Sequence, residues 1–141
     1  MMTERVPLTI LKNLLHDEQY TRKVLPFVQP EYFEERSDRI VFEEISSYLK
    51  DYDGLPTKEV LHIEIEKRTD LSEDEFKLSE QLVDSLESIE SDSEWMLNTT
   101  EKWCKERAIY LALMESIKIA DGQDEKKHCL LYTSDAADDR M

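Results

Sequence analysis

The sequence predicts an all-α protein, a small helical bundle forming a head and then a long antiparallel helical hairpin. Three observations carry that reading. Apolar residues recur at spacings of three and four through most of the chain, the period of a helix with one buried face. The stretch from Ser91 to Ala120 holds no glycine or proline, so nothing in it stops a helix of ~45 Å at ~1.5 Å per residue. The one strand-like alternation, Leu61, Ile63 and Ile65, has no second such run to pair with, and a lone strand leaves its backbone unsatisfied.

Taken in order, Pro7 suits a first helical position, and Leu8, Leu11, Leu14 and Leu15 then form one apolar face. Asp17 is placed to cap a short second helix carrying Tyr20, Val24, Leu25 and Phe27, with Pro26 near its end. QPEYFEERSD reads as a turn with a short helical piece that tucks Tyr32 and Phe33 into the core. Ser37 or Asp38 starts the next helix, in which Val41, Ile45, Tyr48, Leu49 and Tyr52 repeat at helical offsets. Gly54 and Pro56 close it, and Thr57 caps KEVLHIEIEKR, read as a helix. Ser72 and Glu75 form a capping box with Leu71 and Phe76 as its staple, opening a helix with Leu78, Leu82, Val83, Leu86 and Ile89. The short polar link ESDS turns the chain back into the long helix, where Ser91 and Glu94 offer a second capping box.

On that last helix Met96, Trp103, Tyr110, Met114 and Ile117 fall on one stripe, while Ala108 to Met114 is apolar all round. A helix exposed on one side does not need the latter, so this segment is expected to be covered from two directions. Trp95 and Trp103 lie eight residues apart, about 80° round a helix, sharing a broad face but no narrow seam. Burial in a helical core is the ordinary role for both; anchoring a partner is the alternative for one of them. Glu101–Lys105 and Lys102–Glu106 fit i,i+4 pairing along a solvated face.

Composition excludes several functions. The 141 residues suffice for one domain with a core, and the net charge of −15 opposes contact with a phosphate backbone. Two glycines, Gly54 and Gly122, cannot build a phosphate-cradling loop. Cys104 and Cys129 are too few for a metal cluster or a disulfide framework. His16 and His62 have no neighbours at metal-ligand spacing, and adjacent acids such as Glu43/Glu44 or Glu64/Glu66 are expected by abundance alone. The longest apolar run is too short to span a membrane, and the N-terminus lacks a signal-peptide pattern, which sets the cytosol as the expected compartment.

Residues 129–141 differ in character from the rest. CLLYTSDAADD looks like the translated transposon end and adapter of a sequencing library, with Arg140 and Met141 as read-through. The natural chain is then expected to reach only His128 here. The expected divisions are a head over 1–70, a hairpin over 71–121, the start of a linker over 122–128 and a non-native tail over 129–141.

YTRKVLPFVQPEYFEE, DYDGLPTKEVL and EWMLNTTEKWCKERAIYLAL, in that order and spacing, resemble the N-terminal domain of the replicative hexameric DNA helicase of T-even-like tailed phages, an enzyme similar to bacterial DnaB. The resemblance runs from Leu8 to Lys127 and rests on helix punctuation and packing residues. It implies an oligomerisation domain whose hairpins pack into a hexameric collar, with docking for primase and a helicase loader, in the cytoplasm of a bacterial host. ATP-dependent 5'-3' unwinding, with ATP and Mg as cofactors, would belong to a RecA-like motor that also grips DNA and follows Lys127. No cofactor, metal or catalytic residue carries over to this segment. Trp103, Tyr110, Leu111, Met114 and Ile117 are the expected packing and subunit-contact surface. Two rivals remain: a free-standing acidic adaptor or DNA mimic that binds a basic partner, and a small all-α enzyme with a carboxylate site in a concave pocket.

Overall fold

The computed structural model describes residues 2–90 and 92–126, with side chains for residues 6–90 and 92–120. All regular structure among them is helical: α1 (Met2–His16), α2 (Glu18–Val24), a 3-10 turn (Pro30–Tyr32), α3 (Arg36–Tyr52), α4 (Lys58–Lys67), α5 (Glu73–Asp84) and α6 (Ser93–Lys126). The all-α class is the one expected. The chain divides into a compact unit ending at Lys105 and a second unit beginning at Glu106. Ser91, with its expected capping role, and the adapter-like tail lie outside the described residues. α6 stays helical to Lys126, through the positions where a linker was expected to start.

Local hydrogen bonds explain where the helices start. Asp17 accepts from the Tyr20 N–H at 3.2 Å and Thr57 from that of Val60 at 3.2 Å. The capping box is complete: the Glu75 N–H donates to Ser72 Oγ, and the Ser72 N–H donates to Glu75 Oε1. Leu71 and Phe76 both pack against the core. At α6 the cap is Asp92, whose carboxylate accepts from the N–H groups of Glu94 and Trp95 at 2.8 and 3.1 Å. The helix therefore starts two residues after the expected Ser91 cap.

Several boundaries differ from the sequence expectation. α1 begins at Met2 and holds Pro7 inside it, forgoing that residue's own helical hydrogen bond. α2 stops at Val24, so Phe27 falls beyond it and is exposed. α3 starts at Arg36 and is closed by Asp53, not Gly54: Asp53 takes the left-handed conformation (φ 59°) and donates its N–H to the Leu49 carbonyl. α5 ends at Asp84, leaving Leu86 and Ile89 outside it. There the Ser85 N–H meets the carbonyls of Gln81 and Leu82, and its hydroxyl donates back to Leu82, tightening the final turn. Lys58 holds the Asp84 carbonyl and the Glu87 carboxylate just beyond it.

One core serves the first unit. Ile10, Leu11 and Leu14 of α1, Val24 of α2, Ile40, Val41 and Ile45 of α3, and Leu61 and Ile65 of α4 are sealed from solvent. Val83, Leu86 and Met96 complete it, with Trp103 and Cys104 nearly as deep. α4 thus buries Leu61 and Ile65, one turn apart, while Ile63 faces outward: helical, not strand, placement. The contacts that hold α5 run to α3 and α4, while side chains in the opening turns of α6 meet α1, α2 and the Tyr32–Phe33 segment. α5 and the opening turns of α6 are therefore each held by other elements of the first unit.

Most polar groups in this core are matched, the buried Ser79 hydroxyl being an exception. The Thr21 hydroxyl donates to the Leu14 carbonyl at 2.7 Å, and Asn13 donates to Thr9. The hydroxyls of Tyr20 and Thr100 meet at 2.6 Å where both side chains are buried. Arg68 bonds Glu43, Glu44 and Asp70, tying α3 to the end of α4; that contact holds the Asp70 carboxyl down at about 2.

Tyr20→Phe is expected to lower stability by ~1–3 kcal/mol, because it strands the Thr100 hydroxyl in the core. Adding Thr100→Val should recover part of that loss in urea unfolding; strict additivity would show that the two hydroxyls are not coupled. A Trp95→Phe variant, which leaves Trp103, should fluoresce with little acrylamide quenching, whereas the parent protein should show a readily quenched fraction from Trp95.

Candidate interaction surface

Helix α6 contributes apolar residues to both units. In the first unit Met96, Thr100, Trp103 and Cys104 are buried. The Trp103 ring lies 5.0 Å from Phe33 and 6.1 Å from Tyr32, the latter edge-on. Trp103 is only 5% exposed, so it belongs to the core and is not available as a subunit contact. Trp95 is 54% exposed, consistent with the broad separation of the two indoles.

In the second unit the apolar residues of α6 are exposed. Tyr110, Met114 and Ile117 are 46%, 42% and 55% exposed, and Leu111 is partly exposed. Ile109, Leu113 and Ile119 open other sides of the same helix. Four of the five expected contact residues therefore lie together on solvent-facing turns, and Trp103 lies apart from them. Arg107 stacks its guanidinium 4.9 Å from the centre of the Tyr110 ring. Charge is balanced along this segment: Glu106 and Glu115 against Arg107 and Lys118, in a chain of net −15. Of the expected i,i+4 pairs, Glu101–Lys105 forms at 3.4 Å.

Chemically reactive arrangements are sparse. Burial pushes the Cys104 thiol up to about 11, which keeps it neutral. Burial, with Glu35 nearby, raises the Asp38 carboxyl to about 6, and burial also raises that of Glu44 against the pull of Arg68. Neither lines the broad open groove between α2 and α3, which is bordered by Leu25, Pro26, Phe42 and Leu49 with Arg22 and Lys50. No group of three or more His, Cys, Asp or Glu able to hold a metal occurs among the described residues. No helix among them is long and apolar enough to cross a membrane.

The sequence reading missed His62. Its ring nitrogens meet Glu80 and Asp84, eighteen and twenty-two residues away on α5. The detectable signal was the acid pair at i,i+4 on α5; nothing near His62 itself pointed to it.

No protein-family model matches this chain. It is 30% identical over 110 residues to the DnaB-like replicative helicase of Enterobacteria phage T4. The matched stretch is 78% of this chain but 23% of the phage protein, so the chain spans less than a quarter of the relative's length. The helical chain with the uncovered α6 segment is thus related to a DnaB-like phage replicative helicase.

Proposed function

We propose that this chain is the N-terminal oligomerisation domain of a phage replicative DNA helicase, a collar element that also offers docking surface to primase and loader. Unwinding, ATP and Mg binding and the grip on DNA would reside in a motor domain elsewhere in the full-length protein. The observation that carries the reading is the exposed, charge-balanced apolar segment from Ile109 to Ile119 in a chain otherwise strongly acidic. Elsewhere copies repel one another; along this segment they can approach. The relation to a DnaB-like helicase supports the same assignment.

Magnitudes limit how strong a single contact is. Covering a half-exposed Ile, Leu or Met contributes about 1 kcal/mol, while bringing two copies together costs ~4–15 kcal/mol. One pair of segments is therefore a weak contact. Closing a ring changes this, because each copy then meets two neighbours and the last contact forms within one assembly.

The protein should self-associate in sedimentation equilibrium with an apparent constant on the order of 0.1 mM. Met114→Asp should weaken that association at least about tenfold by placing a charge in the contact. A strict monomer at millimolar concentration would contradict the collar assignment. The purified chain should also hydrolyse no ATP, since it lacks a phosphate loop; turnover that follows the protein through purification would overturn the division of labour proposed here.

A further inference from the structure

His62 of α4 lies between two carboxylates of α5. Its Nδ1 is 2.5 Å from Glu80 Oε1 and its Nε2 is 2.9 Å from Asp84 Oδ1. Glu80 and Asp84 stand one turn apart, so they meet opposite sides of the ring. An ionised carboxylate only accepts hydrogen bonds, and a neutral imidazole carries a single N–H. Both contacts are satisfied together only by the doubly protonated ring. The second oxygen of Glu80 is buried without a partner, so His62 supplies that carboxylate's described hydrogen bond.

The charged groups that act on the ring are Glu80 and Asp84. On α3, Glu43 and Glu44 are taken up by Arg68. Lys58 of α4 reaches the Asp84 carbonyl and the Glu87 carboxylate further along. The seam continues into the connector to α6, where the His16 ring nitrogen meets the Leu86 carbonyl at 2.8 Å.

We propose that His62 is a proton-operated latch between α4 and α5. Protonated, it bridges the two helices through both ring nitrogens. Deprotonated, it leaves one carboxylate facing a bare nitrogen, and the last turn of α5 and the connector after it loosen.

Burial alone would lower the His62 pKa; the hydrogen bond to Asp84 and the charge of Glu80 override it and hold the value above the ordinary 6.5. The sign follows from that direction. The latch contributes fully below 6.5, the value in the unfolded chain, and is lost as pH rises through the higher folded-state pKa.

Nuclear magnetic resonance of the His62 ring, assigned through couplings to its own backbone, tests the latch in the intact chain. The expected titration midpoint lies above 6.5, with both nitrogens protonated below it, and Asp84→Asn moves it down. Asp84 is an exposed side chain, so this variant leaves the core intact. Amide protection at Gln81 to Leu86, corrected for intrinsic exchange, should fall several-fold through the same midpoint while that of Ile10 to Leu14 does not. A midpoint at or below 6.5, a midpoint indifferent to Asp84→Asn, or α5 protection that ignores the titration would each overturn the latch.

Discussion

The first unit depends on how the opening turns of α6 close its core. Met96, Thr100, Trp103 and Cys104 must all point inward at once, and one polar contact fixes the register in which they do so. Tyr20 and Thr100 are both buried, so a slide of α6 along the other helices would strand two hydroxyls. Asn13 adds a directional contact to Met96 Sδ at 3.4 Å. Apolar burial supplies most of the driving force here, while these few polar contacts decide which of several similar packings is adopted.

From Glu106 onward α6 belongs to the second unit. In the sequence the helical spacing that includes Met96 and Trp103 runs on through Tyr110, Met114 and Ile117. One sequence pattern thus serves folding in its first half and leaves apolar surface in its second. Substitutions in the two halves should accordingly differ in kind: the first set acts on folding, the second on solubility and association.

Helix starts were legible in the sequence because a cap is decided within four residues. Asp17, Thr57 and Ser72 with Glu75 all form the bonds their spacing implies. Helix ends were less legible. α5 stops at Asp84 because Lys58 and the core position of Leu86 draw the chain out of the helix, and both act from outside the segment. Asp53, a residue type that tolerates the left-handed region, takes it in place of Gly54, and its carboxylate also reaches Arg22 of another helix at 3.0 Å. Of the proposed contact surface, the turn-by-turn apolar character of Ala108 to Met114 was readable, but the inward turn of Trp103 depended on Phe33 and Tyr32. His62 was invisible for the same reason: its partners come from a helix whose placement no local pattern encodes.

The buried thiol of Cys104 has a use of its own. Alkylating reagents attack the thiolate, and this sulfur is both covered and held neutral. Modification at Cys104 therefore waits for moments when α6 lifts away from Phe33 and its neighbours. The rate of that modification is a built-in clock for transient openings of the folded head, ticking without any engineered reporter.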